Sequence, residues 1–63
     1  MPAVKVREAI RAVEADGWVQ VLAKGGHRQY KHPIKSGRVT IPGKPSDTLH
    51  PKTWASIQMQ AGI

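Results

Sequence analysis

The central part of the chain reads WVQVLAKGGHRQYKHP, residues 18–33. Residues 18–24 are rich in β-branched and aromatic side chains, which is typical of a strand. The Gly25-Gly26 pair accepts positive φ at both positions of a two-residue turn, and residues 27–32 then return as a second strand. The stretch therefore predicts an antiparallel β-hairpin.

The residues alone leave open which side chains of the first strand face the core. In one phase Val19, Val21 and Ala23 face the core, because alternate side chains of a strand lie on the same face. In the other phase Trp18 and Leu22 face it, and a β-bulge would reconcile the two.

The second strand divides its side chains more clearly. Tyr30 is the side chain best suited to a core, and burying it places Arg28 and His32 on the same face. His27, Gln29 and Lys31 then lie together on the opposite face, which we expect to be open to solvent.

The segments around the hairpin complete the expected fold. Apolar residues at helical spacing predict an amphipathic helix over residues 3–15, which ends at Asp16-Gly17. Residues 38–41 predict a third strand, and residues 43–49 a loop. A closing helix begins at Pro51 and ends at Gly62, with Trp54, Ile57 and Ala61 on its buried side. The order predicts an α+β two-layer sandwich, with both helices on one face of a three-stranded antiparallel sheet.

The charge of the chain favours a polyanionic partner. Ten Lys and Arg residues stand against four acidic residues, which gives a formal charge of +6 in 63 residues. No acid lies between Asp16 and Asp47, whereas the middle quarter of the chain holds five cations: Lys24, Arg28, Lys31, Lys35 and Arg38. A field of this kind concentrates nucleic acid, and an acidic protein is the next candidate.

Several classes of protein and of site are disfavoured. The chain has no cysteine, which fits a reducing cytoplasm and leaves no thiolate for zinc. His27, His32 and His50 lack the spacing of zinc ligands, so we expect neither a metal nor a cofactor. No apolar run is long enough for a membrane helix or a signal peptide, and we expect no membrane association.

His27 is the candidate catalytic residue. It directly follows a turn and has Lys24 and Arg28 as neighbours, and such a field favours the neutral imidazole that accepts a proton. A neutral imidazole can act on a ribose 2′-OH, while Lys24, Arg28 and Lys31 stabilise the phosphate charge. The alternative is an ordinary turn histidine, because Gly-Gly-His alone is a weak motif.

Taken together, these blocks resemble the HicA family of bacterial toxins. The resemblance covers nearly the whole chain, in order: the opening helix, GW at 17–18, KGGHRQY at 24–30, HP at 32–33, RVTIP at 38–42 and LHPKTWASIQMQAGI at 49–63. The chain departs from the family pattern at Gly26, where serine is usual. The family also often carries a basic residue or a histidine shortly after the third strand. Here Gly43-Lys44-Pro45 stands at that point, and only Lys44 keeps the charge.

The resemblance implies a single domain over residues 1–63 with a fold like that of double-stranded-RNA-binding domains. It further implies a metal-independent mRNA interferase, neutralised by a HicB antitoxin, with His27 as the catalytic residue. We expect the RNA to contact Lys24, Arg28, Lys31 and Arg38. Two other functions stay open from the residues alone: a non-catalytic basic RNA-binding module, and a domain that only binds an acidic protein.

Overall fold

The computed structural model describes residues 3–63 and confirms the α+β fold. Its elements are α1 (Val6–Ala15), β1 (Val19–Lys24), β2 (His27–Lys31), β3 (Val39–Pro42) and α2 (Pro51–Ala61). The strands form one antiparallel sheet in the order β1-β2-β3. Because consecutive strands are neighbours throughout, β2 is the central strand and is held from both sides.

Helix α1 begins later than the predicted range of 3–15, at Val6. Lys5 precedes it in an extended conformation, and the Lys5 backbone N–H donates to the Glu8 carboxylate at 2.7 Å. The Val6 N–H donates to the Asp47 carbonyl at 2.8 Å. The loop before α2 therefore supplies acceptors that the first turn of a helix lacks, and this contact sets where α1 starts.

Helix α2 has the predicted bounds. Pro51 is its first residue, and Gly62 closes it in the left-handed conformation at φ 68°. The His50 Nδ1 accepts a hydrogen bond from the Lys52 N–H at 3.1 Å. His50 is therefore a helix cap, and a histidine in this role needs no ligand.

The core lies between the two helices and one face of β2 and β3. Trp18 is buried beside it, and its Nε1 donates to the Ala61 carbonyl at 3.3 Å. Trp54, predicted to be in the core, is only half-buried against it. The buried residues are Val6, Ala9, Val13, Trp18, Tyr30, Val39, Ile41, Leu49, Ile57 and Ala61.

Strand β1 follows neither predicted phase over residues 19–24, although Trp18, which the second phase places in the core, is buried just before the strand. All six of its residues are exposed, including Val19 at 60%, Val21 at 51% and Leu22 at 45%. The strand pairs only with β2 and extends beyond the surface that the helices cover, so neither of its faces meets the core. The register shifts between Gln20 and Leu22, which confirms the anticipated irregularity at Val21.

His32 joins the end of β2 to the end of α1. Its Nδ1 accepts from the Ile34 and Lys35 backbone N–H groups, each at 3.0 Å. Its Nε2 lies 2.8 Å from the Asp16 carbonyl, so Nε2 carries the proton and donates. A Cβ at Gly17 would lie 2.8 Å from this nitrogen, and Gly17 has φ 105°. The junction therefore requires both the histidine and the glycine.

Lys35 extends this junction to α2. Its ammonium donates to the Asp16 carboxylate and to the Ala61 carbonyl at 3.0 Å. The hydrogen bond from Lys35 lowers the pKa of Asp16 below its ordinary value. A carboxyl with a lowered pKa stabilises the fold at neutral pH, and that contribution is lost as the pH falls through the lowered pKa.

The Tyr30 hydroxyl yields a test of this core. Tyr30 is completely buried, and its hydroxyl has no hydrogen-bond partner within residues 3–63. Burial raises the pKa of this phenol above its ordinary value, because the charged form is desolvated.

We predict that Tyr30→Phe increases the free energy of unfolding by about 1 kcal/mol, since it removes a buried polar group without leaving a partner unpaired. Urea denaturation followed by circular dichroism measures the change. A loss of stability would show that the hydroxyl has a hydrogen-bond partner in solution, in contradiction to its unpaired state within residues 3–63.

Candidate active site

The sheet face opposite the helices is exposed, and we call it the open face. Its members are assigned from the strand register, because cross-strand partners share a face and Tyr30, Val39 and Ile41 lie on the other one. The open face consists of His27, Gln29 and Lys31 of β2, Val19, Leu22 and Lys24 of β1, and Thr40 and Pro42 of β3. Arg38, just before β3, joins it through a contact with Gln29.

His27 stands at one end of this face. It is the first residue of β2, directly after the two-residue turn in which Gly25 and Gly26 have φ of 59° and 80°. Its cross-strand partners are Lys24 on one side and Pro42 on the other, and its side chain is exposed. The tight turn therefore presents an imidazole to solvent with an ammonium group on the adjacent strand.

A shallow depression of about 250 Å³ surrounds the turn. It is lined by Ala23, Lys24, Gly25, Gly26, His27 and Arg28. Enclosed sites for small molecules are usually larger than this and mostly apolar. An open, cationic depression beside a strand suits one phosphate group of a long polymer that lies across the surface.

Three of the four predicted cationic contacts share this face with His27. Lys24 pairs directly with it, at a Cα separation of about 5 Å for antiparallel partners. Lys31 lies at the far end of β2, about 13 Å along the strand. Arg38 precedes β3, and its Nη1 donates to the Gln29 Oε1 at 2.6 Å. The face thus carries positive charge along its length.

Arg28 lies on the other face of the sheet. It is half-buried, and its Nη1 donates to the Gly43 carbonyl at 2.7 Å. The Gly43 N–H in turn donates to the Gly26 carbonyl at 2.9 Å. These two bonds connect Arg28 to the turn that precedes His27. At least one of the Arg28 donors is therefore used inside the fold. Its role as an RNA contact stays a prediction.

Gly43 completes this connection because only glycine fits there. Its φ is +89°, and a Cβ would lie 3.2 Å from the Asp47 carboxylate and 3.3 Å from a Val6 methyl. The sequence predicts a loop here and departs from the family pattern at this position. Its structural reason is the close approach of the loop to the start of α1.

The chemistry available on the open face is proton transfer and anion binding. An exposed imidazole can accept and return a proton, and the ammonium and guanidinium groups can stabilise a phosphate. Among the residues that the structure describes, no group of three or more His, Cys, Asp or Glu side chains is placed to hold a metal ion. In the same part of the chain, no helix has the length and apolar character needed to cross a bilayer.

Two features of the open face were not predicted from the sequence. Gln29 was placed on this face without a role, and its contact with Arg38 depends on the turn between β2 and β3. Val19 and Leu22 were assigned to alternative core phases, although both are exposed beside the cations. A strand with exposed apolar residues cannot be told from a half-buried one by alternation alone.

Comparison with known proteins identifies one family. The family model described as "HicA toxin of bacterial toxin-antitoxin" matches residues 6–63, from the first turn of α1 to the last residue. No curated protein matches the chain.

The loss of one positive charge should mainly lower stability at Arg28 and mainly weaken RNA binding at Lys24. Arg28→Met should lower the free energy of unfolding by about 1 to 2 kcal/mol, because it removes a charge-assisted bond to a part-buried carbonyl. Lys24→Met should leave stability within about 0.5 kcal/mol, since Lys24 is exposed, yet it should weaken RNA binding more than Arg28→Met does.

Thermal unfolding and fluorescence anisotropy with labelled single-stranded RNA measure the two effects. The pair is matched, because each variant loses one positive charge near the same turn. Unchanged stability in Arg28→Met, with RNA binding as weak as in Lys24→Met, would instead make Arg28 a direct phosphate contact.

Proposed function

The chain belongs to the HicA family of toxins from bacterial toxin–antitoxin systems, and from that premise we propose that it is a metal-independent endoribonuclease that cleaves mRNA and so arrests translation and growth. The observation that supports this most strongly is the position of His27, exposed on the open face and paired with Lys24. We propose that residues 1–63 act as one domain in the cytoplasm, where the mRNA is.

In the proposed reaction the neutral imidazole of His27 accepts the proton of a ribose 2′-OH. The 2′ oxygen attacks the adjacent phosphorus, and the bond from phosphorus to the 5′ oxygen of the next nucleotide breaks. The imidazolium returns its proton to that leaving oxygen. The products are a 2′,3′-cyclic phosphate and a 5′-hydroxyl, and His27 ends as it began.

The cations of the open face supply the electrostatic part of the proposal. Charge grows on the equatorial phosphate oxygens as the 2′ oxygen attacks, and Lys24 is the cation nearest to His27 by register. Lys31 and Arg38 are further along the face and suit the neighbouring phosphates of the chain. Because the substrate itself provides the nucleophile, this route asks for no activated water.

We also propose that a HicB antitoxin, the partner that the family implies, covers the open face. Val19 and Leu22 lie on this face and are 60% and 45% exposed, next to the cations Lys24 and Lys31. Exposed apolar residues grouped in this way mark protein interfaces, and phosphates gain little from them. An acidic partner with an apolar centre would fit both features and would exclude RNA from His27.

Removal of the imidazole tests the proposed reaction. His27→Ala should abolish cleavage of end-labelled RNA in excess EDTA, by at least about 100-fold, because the proposed reaction accepts and returns its proton through this imidazole. Circular dichroism should show an unchanged fold, since the side chain is exposed. Wild-type products should carry 5′-hydroxyl ends, and a single 2′-deoxynucleotide should protect the bond that follows it.

The controls separate this function from its alternatives. Cleavage by His27→Ala equal to that of wild type would rule out the proposed catalytic residue. Intact RNA with both proteins, together with salt-sensitive binding, would favour a non-catalytic RNA-binding module. Loss of all wild-type cleavage in EDTA, with recovery in Mg²⁺, would contradict the metal-independent route.

The apolar part of the open face yields a test of the antitoxin interface. The double variant Val19→Thr, Leu22→Thr should weaken antitoxin binding about tenfold or more, because it removes exposed apolar area while placing a residue of high β propensity at both strand positions. RNA cleavage should stay within about twofold of wild type. Isothermal titration with purified HicB antitoxin measures the affinity.

Ile34→Thr is the matched control for this pair. Ile34 is 88% exposed in the loop after β2, outside the open face, so the same chemical change there should leave antitoxin binding unchanged. Equal affinity for the double variant and wild type would show that the antitoxin does not cover Val19 and Leu22.

A further inference from the structure

Gln29 occupies the centre of the open face. It follows His27 by two residues on the same strand, about 7 Å away. Its backbone is paired with Leu22 on β1 and Thr40 on β3, so the strand on each side fixes its position. A backbone fixed in this way, beside the proposed catalytic group, is a suitable support for a side chain that takes part in recognition.

The amide of Gln29 has one determined orientation. Arg38 Nη1 lies 2.6 Å from it, and a guanidinium can only donate hydrogen bonds. The atom facing Arg38 must therefore be the Oε1 acceptor. The Nε2 group is left on the other side, and within residues 3–63 it donates to no other atom. Gln29 therefore presents an N–H donor to a ligand, whereas an amide that can rotate presents either a donor or an acceptor.

A donor in this position fits a base better than a phosphate. In the proposed ribonuclease, Lys24 and Lys31 bind the anionic backbone, whereas a neutral amide is suited to hydrogen bonds with base edges. Guanine and uracil carry a carbonyl oxygen where adenine and cytosine carry an amino group. At that position of the base edge, an N–H donor of fixed orientation bonds to the carbonyl oxygen of the first pair and meets another donor in the amino group of the second.

We infer that Gln29 selects a keto base, guanine or uracil, at one position beside the cleaved phosphate, and that Arg38 acts as a positioning residue by holding its amide. This inference rests on the proposed ribonuclease function and deepens it to a substrate preference. One neutral hydrogen bond of this type corresponds to about three- to tenfold discrimination.

The experiment is to cleave an RNA with a randomised segment and to sequence the ends. For wild type, the ratio of keto to amino bases should rise about three- to tenfold at one position near the cleaved bond. Gln29→Met should bring that ratio to the background value. Gln29→Glu should invert it, because a carboxylate keeps the contact with Arg38 and accepts a hydrogen bond from an amino group.

Arg38→Met tests the positioning role. With its amide free to rotate, Gln29 should accept both kinds of base, so the preference should disappear while cleavage persists at a lower rate. The double variant Gln29→Met, Arg38→Met should show no further change in preference, since both residues act through one hydrogen bond. Gln20→Met is the matched control and should keep the wild-type preference, because Gln20 pairs with Tyr30 and lies off the open face.

The outcomes separate this inference from the proposed function. Cleavage by wild type with the same base preference in Gln29→Met would overturn the role of Gln29 and leave the ribonuclease intact. If wild type cleaves nothing, the ribonuclease function fails, and the inference is decided by sequencing the RNA that each folded protein retains. A retained pool with no keto enrichment, or one that Gln29→Glu does not invert, would overturn it.

Discussion

The burial of Tyr30 in the central strand is the constraint on which the site depends. Because side chains alternate along a strand, a tyrosine in the core at position 30 places His27, Gln29 and Lys31 together on the opposite face. A shift of one residue would turn all of them inward. Within residues 3–63 the Tyr30 hydroxyl has no hydrogen-bond partner, so its burial costs free energy in the core.

The junction around His32 holds the sheet to both helices. Its imidazole accepts from two backbone N–H groups and donates to the Asp16 carbonyl, while Lys35 bridges Asp16 and the end of α2. Several of the residues that carry the family resemblance, including Gly17 and His32, therefore serve the fold. Of the three histidines, only His27 is left exposed on the open face, since His50 caps α2.

The open face combines two kinds of surface that favour different partners. Cations around His27 suit RNA, and the exposed Val19 and Leu22 suit a protein. Their overlap gives a simple physical basis for the inhibition that we propose: an antitoxin that binds the apolar residues would cover the imidazole. Arg28 supports this face from behind through Gly43 and the turn at Gly26, and its contact with RNA stays a prediction.

Local sequence was enough to determine the two helices, the hairpin at Gly25-Gly26 and the α+β order, because turn glycines, caps and alternation act over a few residues. It also placed His27 and Lys31 on one face once Tyr30 was assigned to the core. Only the tertiary structure decided that β1 lies beyond the helices, since exposure depends on what packs against a strand. The tertiary structure also decided the contacts of Arg28 with Gly43 and of Arg38 with Gln29. The spacing of residues along the chain does not determine which distant side chains and carbonyls meet.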